Sequence, residues 1–484
     1  MEQENKDWIK LSEVLVSKPD DFETWQKLVE AAEAGSTHDG ISKSSTSTEL
    51  NILRITYENL LDKWPLLHQY WLNYAEWEFK LGHTENCRQV YQRALVQLPR
   101  SIECWLAYTK FIILTSCDES ETLKVLESAR YHIGNHFYSH EFYDEYLTYL
   151  ESRSKYDENM RKRFYILLRI IIELPLYHYG KYFKTFIQLV DKLDHQTAKY
   201  LIPDREMSRY NLKDLKQTSS KLKKLFTDVY ISTQFKVYGL YTYEKRITRS
   251  YFHVNYLSKD QLNVWQEYLD FVELKYPELV ELTYERCIVS TALYKDFWIR
   301  YSDYYIRKSQ SIESAKQILL KAISITPMTN IELKLKLIDL ETFQGNHVKA
   351  RDIVLMNLRL FPECLPLIVK LLNLERMLHP NDDEYVLGLF ETLISETKLV
   401  YLYKELVNYK FEDHAMSKFF RKFENNEDSW IFWTSYLECM ISSNGNKEVT
   451  QLKKIYEQGL TKISSSTDRE KFSTSWGSLL QISP

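Results

Sequence analysis

The sequence predicts an all-α fold, a superhelical solenoid of antiparallel helix pairs arranged in two arms. Three observations predict it. A pattern of aromatic residues recurs at helical spacing, and a second helical pattern that ends at a proline follows it. In addition, glycine is only 11 of 484 residues, far below the ~7% of an average chain. So little glycine disfavours β-sandwiches, barrels and glycine-rich nucleotide-binding loops, which need many tight backbone turns.

The first helix of each repeat carries the pattern W-x-x-Y, which in one copy continues to an acid. Trp71 is followed by Tyr74 three residues later and by Glu78 seven residues later. These offsets place the side chains on one helical face, so the rings are expected to pack against the next helix. The ring pair recurs at Trp105 and Tyr108, Trp265 and Tyr268, Trp298 and Tyr301, and Trp433 and Tyr436.

The second helix of each repeat carries a basic residue and a tyrosine and ends near a proline. In one copy, Arg88 and Tyr91 precede Pro99. Proline disfavours helical geometry in the residue before it, so it marks the turn into the next repeat. Further copies of this pattern contain Tyr284, Arg286 and Pro327.

Other copies keep the spacing and change the residue types. Ile368 and Glu375 hold two of the pattern positions without rings, and Leu337 and Glu341 do likewise. Roughly ten or eleven helix pairs fit between residues 20 and 465, and the pattern thins after about residue 385. One helix pair does not bury its apolar face alone, so neighbouring pairs are expected to stack into a continuous core.

Breaks in composition divide the chain into an N-terminal repeat arm at residues 1–190, a linker at residues 191–220 and a C-terminal repeat arm at residues 221–484. Residues 35–49 are rich in Ser, Thr and Gly, which predicts a flexible loop within the first clear repeat. The linker loses the repeat phase and contains several lysines. A long helix is expected after it, over about residues 221–249.

No motif for catalysis or for binding a cofactor or a metal occurs in the sequence. The nucleophile-elbow, P-loop, dinucleotide-binding and zinc-protease patterns are absent, and the six cysteines form no C-x-x-C pair. His132, His136 and His140 have a spacing that would align metal ligands on one helix, but Gly134 and Asn135 interrupt it. The sequence therefore predicts no enzyme, no cofactor and no metal site.

The overall charge argues against a dedicated nucleic-acid binder. The chain has 63 basic and 67 acidic residues and a net charge of −4, whereas such binders usually carry a basic domain. Scattered cysteines and a polar N-terminus, with no long apolar stretch, predict an intracellular protein without a signal peptide or a membrane contact.

One local run of basic residues is an exception to this charge balance. It consists of Lys213, Lys216, Lys221, Lys223 and Lys224. A solvated helix face is the simpler interpretation, and the alternative is a patch that contacts phosphates or an acidic partner. If exposed rings accompanied these lysines, the patch would favour direct binding of single-stranded RNA.

The pattern W-x-x-Y-x-x-x-E, followed by R-x-x-Y-x-R-A and a proline, resembles the half-a-tetratricopeptide (HAT) repeat, a relative of the tetratricopeptide repeat. The resemblance covers about residues 20–465 and is strongest at residues 71–99 and 265–327. HAT arrays occur mostly in RNA-processing assemblies, where they act as protein scaffolds. The resemblance therefore implies a scaffold in such an assembly.

Stretches that the repeat does not demand resemble more specifically the pre-mRNA-processing factor 39 family, with its paralogue, pre-mRNA-processing factor 42, as the near alternative. They are residues 171–183, 245–271 and 284–301, and the sequence SYFHV at residues 250–254 is the most specific part. This resemblance implies a component of the U1 small nuclear ribonucleoprotein (U1 snRNP), which recognises the 5′ splice site in nuclear pre-mRNA splicing.

The same resemblance implies the partners. The C-terminal arm would form a homodimer or a heterodimer with a paralogous HAT protein, and the N-terminal arm would reach U1 snRNP proteins, with RNA contact indirect or minor. Two other functions stay open: a HAT scaffold of a different complex, for mRNA 3′-end cleavage or ribosomal RNA processing, and a direct single-stranded RNA binder. The RNA that co-purifies with the protein would distinguish the first of these.

Overall fold

A computed structural model describes residues 6–35, 40–192, 194–202, 214–309, 311–409, 411–425, 427–442 and 449–482. All regular structure in these ranges is helical and none of it is a strand, which confirms the all-α prediction. The chain divides into two compact units, Met1–Tyr301 and Ser302–Pro484, called unit 1 and unit 2 below. No helix within the described ranges has the length and apolar character to cross a membrane.

The helices of unit 1 are short and follow one another closely, apart from α12. They are α1 Lys6–Ser17, α2 Phe22–Ala34, α3 Ser47–Lys63, α4 His68–Lys80, α5 Thr84–Gln97, α6 Ile102–Thr115, α7 Glu119–Ile133, α8 His140–Ser154, α9 Glu158–Ile171, α10 Tyr179–Asp191, α11 His195–Leu201, α12 Leu215–Glu244, α13 Lys259–Lys275, α14 Val280–Thr291 and α15 Lys295–Tyr304, which crosses into unit 2.

Unit 2 continues with ten helices within the described part of the chain. They are α16 Ile312–Ile325, α17 Ile331–Phe343, α18 His347–Leu360, α19 Leu365–Leu378, α20 Asp383–Thr397, α21 Tyr401–Asn408, α22 Asp413–Phe423, α23 Trp430–Ser442, α24 Val449–Lys462 and α25 Ser466–Ile482. Most consecutive helices pack together, and helices two apart also touch, as α4 with α6, α6 with α8, and α17 with α19. Within each unit this is the stacking that a solenoid of helix pairs requires.

The tryptophan of the repeat pattern forms a hydrogen bond with the turn that precedes its own helix. The indole Nε1–H of Trp71 donates to the carbonyl oxygen of Pro65 at 2.9 Å. Trp105 donates in the same way to Pro99, six residues earlier, at 2.9 Å. The same bond is made by Trp25 to Pro19, Trp298 to Ala292 and Trp433 to Glu427. A buried indole N–H needs a partner, and the turn supplies a carbonyl at a fixed spacing.

The tyrosine of the pattern stacks on a ring of the preceding helix. The rings of Tyr57 on α3 and Tyr74 on α4 lie 5.2 Å apart and nearly parallel. The rings of Tyr284 and Tyr301 repeat this arrangement at 4.6 Å. Such stacked pairs add to the apolar area that each helix interface buries. They explain why rings recur at one helical phase.

The boundaries of several elements differ from the sequence-based expectation. The long helix α12 begins six residues earlier than expected, because the side chain of Asp214 accepts the backbone N–H of Gln217 and starts it there. It ends at Glu244, five residues earlier than expected. Near its C-terminal end, Gly239 permits close approach to α13, since a Cβ there would lie 3.1 Å from the ring of Phe271.

The loop predicted at residues 35–49 ends earlier in the structure than the sequence suggested. Thr46 and Glu49 form a capping box, so α3 already begins at residue 47; residues 36–39 lie outside the described ranges. Part of the predicted linker, residues 195–201, is helix α11, and residues 203–213 lie outside the described ranges. The division into two arms at this linker stays a prediction.

Candidate protein-binding site

The residues of the repeat pattern lie in the interfaces between helices. The tryptophan and tyrosine rings are at most 8% exposed; they are Trp71, Tyr74, Tyr91, Trp105, Tyr108, Trp265, Tyr268, Tyr284, Trp298, Tyr301, Trp433 and Tyr436. Pro99 and Pro327 lie in the turns after α5 and α16. These rings are therefore not available to stack on the bases of a bound RNA.

The acidic residue of the pattern links the first helix of one repeat to the second helix of the preceding repeat. Glu78 accepts two bonds from the guanidinium of Arg54, at 2.6 and 3.0 Å. In unit 2, Glu341 accepts from Lys316 at 3.2 Å and from Lys349 at 2.7 Å. Both carboxylates are only 2% exposed. In both copies one partner is the basic residue 24 or 25 positions earlier, Arg54 or Lys316. The basic residue of the second helix therefore binds the first helix of the next repeat.

Arg88 shows what happens where that acid is missing. The position seven residues after Trp105 is Ile112, which offers no carboxylate. Arg88 instead forms an ion pair with Glu121 on α7. The basic residue of the pattern therefore keeps a structural partner even in a copy that lacks the acid.

Arg286 also pairs with an acidic residue outside the expected position of the pattern. It is 7% exposed and makes two bonds to Glu244, at 2.6 and 2.9 Å. Glu244 also accepts the hydroxyl of Tyr268 at 2.8 Å. Sequence reasoning missed Glu244 as a member of this network. The signal that could have found it is the spacing of Leu240 and Glu244, which matches the last two positions of the W-x-x-Y-x-x-x-E pattern.

A segment without regular structure crosses the surface of unit 1. Residues 245–258, called the strap below, connect α12 to α13 and contain SYFHV. Its beginning is fixed by Gln261, which accepts from the N–H of Thr248 at 2.9 Å and donates to the carbonyl of Arg246 at 2.8 Å. Its end is fixed by Tyr294, whose hydroxyl accepts from the N–H of Leu257 at 2.8 Å.

The middle of the strap packs on the first repeats. The ring of Tyr251 lies 5.7 Å from that of His68, and the ring of His253 lies 5.8 Å from that of Phe22. Phe252 is buried. The strap thus brings residues near position 250 against α2 and α4. This contact gives the non-repeat sequence SYFHV a structural role that the repeat alone did not explain.

Two cavities share His68 and Tyr251 in their linings. The first has a volume of about 350 Å³, and its lining includes Arg100, His136 and Arg286. The second has a volume of about 530 Å³ and lies along α2 and α4. The shared residues make the two cavities neighbours in unit 1, and the pair is called the strap groove below. Binding sites favour such concave surfaces with convergent polar groups.

The polar groups at the centre of the strap groove are held in fixed protonation states. Burial lowers the pKa of His136 well below its usual range, and the charge of Arg286 lowers it further. Burial also lowers the pKa of His68. The charge of Glu244 helps to keep Arg286 protonated against its burial. At neutral pH the groove therefore holds neutral imidazoles beside a charged guanidinium.

The predicted basic patch lies at the beginning of α12. Lys216, Lys221 and Lys224 are exposed, Lys223 forms an ion pair with Asp191, and Lys213 lies outside the described ranges. Farther along the same helix the side chains of Phe235 and Tyr238 are 73% and 76% exposed. Exposed rings thus follow the lysines, at spacings that keep them on one helical face.

Unit 2 carries exposed apolar side chains of its own. Phe343 ends α17 and is 79% exposed, and Met356 on α18 and Met377 on α19 are also exposed. Adjacent repeats present these side chains on consecutive helices. Each of these side chains would lose contact with water if a second subunit covered its helix.

The described residues include no group of three or more His, Cys, Asp or Glu that could hold a metal ion. The three histidines with metal-like spacing take separate structural roles. His132 stacks on Trp105, the Nδ1 of His136 accepts the backbone N–H of Tyr138, and His140 packs on His178. Burial raises the pKa of the Cys287 thiol to about 12, which keeps it protonated and unreactive.

Two family models match the chain. The PRP39 N-terminal HAT repeat matches residues 9–188, and the PRP39 C-terminal HAT repeat matches residues 239–377. The second match begins within α12 and includes the strap, α13 and α14. The two matches thus cover the walls of the strap groove.

Curated relatives carry related names. The chain is 29% identical over 407 residues to pre-mRNA-processing factor 39 of Schizosaccharomyces pombe, which covers 78% of this chain and 65% of the relative. It is 28% identical over 328 residues to the U1 small nuclear ribonucleoprotein component PRP42 of Saccharomyces cerevisiae, covering 64% and 58%. For human pre-mRNA-processing factor 39 the identity is 26% over 384 residues, covering 72% and 54%. The chain thus spans between about half and two thirds of the length of these relatives.

A solved structure shares the fold. The crystal structure of CSTF-77 is similar with a TM-score of 0.52 over 86% of this chain and 89% of that chain, at 12% sequence identity. At so low an identity the likeness concerns the fold alone. It supports the solenoid of helix pairs.

Proposed function

The chain belongs to the PRP39 family of HAT-repeat proteins, and from this premise we propose that it is a non-catalytic protein scaffold of the U1 snRNP that supports 5′ splice-site recognition in nuclear pre-mRNA splicing. The observation that carries the proposal is the match of the two PRP39 models to residues 9–188 and 239–377. A relative named as a U1 snRNP component points to the same particle. The nucleus is the corresponding location.

The disposition of reactive groups supports a scaffold without catalysis. The buried acids Glu78, Glu244 and Glu341 are bound to basic residues of neighbouring helices. The buried thiol of Cys287 stays protonated. These residues serve the packing of repeats, so the surface is left to bind partners. A scaffold raises the effective concentration of its partners for one another and needs no reactive group.

The partners we propose are proteins of the U1 snRNP and a second HAT subunit. Unit 1 offers the strap groove for a particle protein. Unit 2, with its exposed Phe343, Met356 and Met377, lies within the C-terminal arm, for which we propose a homodimer or a heterodimer with a paralogous HAT protein. RNA contact would be indirect or minor, as the net charge of −4 suggests.

Depletion of the protein from cells tests this function. Loss of the scaffold is expected to change the protein composition of the purified U1 particle and to weaken crosslinking of U1 RNA to the 5′ splice site. Re-expression of the full chain is expected to restore both. Unchanged particle composition together with unchanged 5′ splice-site crosslinking would contradict the proposal.

A second candidate function is direct contact with single-stranded RNA through α12. The observation that favours it is the exposure of Phe235 and Tyr238 on the helix that carries Lys221 and Lys224. Stacking of bases on exposed rings contributes about 1–3 kcal/mol per base. Filter binding of the purified protein to a single-stranded RNA, repeated over a range of salt concentrations, tests it. Affinity that is absent, or that does not change with salt, would remove this candidate.

A further inference from the structure

We propose that the strap groove of unit 1 binds an extended, basic peptide segment of a partner protein, with backbone carbonyls of the peptide accepting hydrogen bonds from Arg286 and His136. This inference rests on the proposed scaffold function and names the kind of partner that one surface takes. Two features carry it: donors in the groove that lack acceptors, and an excess of carboxylates along the lining.

The first donor is the Nε–H of Arg286. The other two guanidinium nitrogens bind Glu244, which fixes the orientation of the whole group. The Nε atom is buried and has no hydrogen-bond partner, although the side chain lines the first cavity. A buried donor without an acceptor carries an uncompensated desolvation cost in free energy. A ligand that brings an oxygen to this point would recover that free energy.

The second donor is the Nε2–H of His136, which lines the same cavity and is 8% exposed. Its Nδ1 accepts the backbone N–H of Tyr138 at 3.1 Å, so the single ring proton resides on Nε2. Burial and the charge of Arg286 keep the ring neutral by lowering its pKa. The side chains of Arg286 and His136 thus line the same cavity, and each has one N–H donor without a protein acceptor. Carbonyl oxygens along an extended backbone are suitable acceptors.

The charge of the lining selects basic side chains. Five carboxylates line the two cavities among the described residues, and they belong to Glu30, Glu33, Glu103, Glu141 and Glu285. The guanidiniums that line them belong to Arg100 and Arg286, and each already has an acid partner, Glu281 and Glu244 respectively. The excess negative charge repels phosphates and attracts lysine and arginine. The groove therefore fits a basic peptide and not a nucleic acid.

The shape of the groove favours an extended segment. Both cavities are lined by His68 and Tyr251, whose rings are in contact, so an occupant of both must pass these two residues as a narrow chain. Tyr251 is 45% exposed at this point. A helix or a globular surface would not reach donors as deeply buried as Arg286.

Photo-crosslinking in the native complex tests the inference. The tagged full chain carries p-benzoylphenylalanine in place of Tyr251, and a control chain carries it in place of Tyr156, which is 92% exposed and lies outside the groove. After irradiation in cells, mass spectrometry identifies the attached segment. We expect the probe at position 251 to attach to a protein segment in which Lys and Arg outnumber Asp and Glu, and the probe at position 156 not to attach to that segment.

Substitutions within the groove sharpen the test. Removing two lining charges with Glu103→Gln and Glu141→Gln is expected to lower the yield of this crosslink about fivefold, equivalent to about 1 kcal/mol. The matched control, Glu23→Gln with Glu76→Gln, removes two exposed charges outside the groove and is expected to leave the yield unchanged. His136→Phe keeps a ring but removes both the Nε2 donor and the Nδ1 acceptor of the Tyr138 N–H, so it is also expected to lower the yield.

The outcomes separate this inference from the proposed function. Attachment to RNA, attachment to an acidic segment, or no attachment while U1 RNA still co-purifies with the chain would overturn the groove assignment and leave the scaffold proposal standing. Equal loss of yield in the groove pair and in the control pair would also overturn it. Failure of the tagged wild-type chain to recover U1 RNA would instead contradict the scaffold function.

Discussion

Two copies of the repeat, one in each unit, hold the same bonds with different residues. In unit 1 the indole of Trp71 donates to the carbonyl of Pro65 at 2.9 Å. In unit 2 the equivalent position is Lys334, which donates from Nζ to the carbonyl of Met328, also six residues earlier and also at 2.9 Å. The ammonium lies 4.9 Å from the ring centre of Phe361. A lysine thus replaces a tryptophan and keeps the bond to the turn.

The acidic residues of the two copies, Glu78 and Glu341, likewise make equivalent bonds with different partner residues. Glu78 accepts hydrogen bonds from both arms of the Arg54 guanidinium and from the amide of Asn86. Glu341 accepts them from Lys316, Lys349 and Asn346. What repeats along the chain is therefore a set of bonds, from a donor to the turn and from a base to an acid. The unit 2 copy, which lacks the aromatic residues of the pattern, therefore keeps its hydrogen bonds and ion pairs.

The largest expected effect comes from removing the tryptophan. Trp71→Ala deletes a ring that is 3% exposed and is expected to destabilise the protein by about 3–5 kcal/mol. Lys334→Ala removes a smaller group with one carbonyl bond, and about 1–2 kcal/mol is expected. Urea unfolding followed by circular dichroism measures both. A loss below about 1 kcal/mol for Trp71→Ala would show that the ring is not part of the core.

Substitution of the buried acidic residues is expected to have the next largest effect on stability. Glu341→Gln removes the carboxylate shared by Lys316 and Lys349 and leaves Lys316, whose side chain is 7% exposed, with Glu313 at 2.9 Å as its remaining carboxylate partner. A cost of about 3 kcal/mol is expected. Glu78→Gln is expected to cost about 1–2 kcal/mol, because Arg54 is 30% exposed and is hydrated more easily. Hydrogen exchange of the amides around each acid measures the local cost. Equal costs would contradict the difference in burial.

Acid pH is expected to weaken the unit 2 copy. Burial raises the pKa of Glu341, but hydrogen bonds from Lys349, Asn346 and Lys316 outweigh it and lower the pKa from 4.5 to about 2. Since the folded-state pKa is depressed, the stabilisation is fully present above pH 4.5 and is lost as the pH falls toward 2. The loss is on the order of 3 kcal/mol. Hydrogen exchange around α17 at several pH values measures it, and Glu341→Gln should remove most of this dependence.

The smallest expected effect comes from a comparison that isolates the hydrogen bond from the tryptophan indole to the preceding turn. Trp265 is fully buried like Trp71, but its Nε1 has no hydrogen-bond partner. Trp71→Phe and Trp265→Phe remove similar volumes, and only the first loses a hydrogen bond. The first substitution is therefore expected to cost about 1 kcal/mol more than the second. If urea unfolding gave the reverse order, the bond to Pro65 would not stabilise the repeat.

The sequence was sufficient for the fold because its signals are local. Rings at offsets of three residues and prolines at helix ends specify helices and turns without reference to distant residues. The prolines also precede Trp25, Trp71 and Trp105 by six residues, a spacing that could have predicted the bond to the turn. The lysine at position 334 broke the aromatic pattern and could only be understood from its contact.

The strap groove could not be predicted, because it depends on long-range contacts. The strap brings Tyr251 against His68, and Arg100 forms an ion pair with Glu281, 181 residues later. Nothing in the local pattern around these residues indicates such neighbours. The sequence SYFHV was visible as a stretch outside the repeat, but its place beside the first repeats required the structure.

Native affinity purification of the tagged chain, with sequencing of the co-purifying small RNAs and identification of the proteins, tests the scaffold function most directly. The proposal predicts enrichment of U1 RNA with the U1 core proteins, and the presence or absence of a paralogous HAT protein would decide between heterodimer and homodimer. Enrichment of another small RNA or of mRNA 3′-end cleavage factors, without U1 RNA, would contradict the U1 assignment.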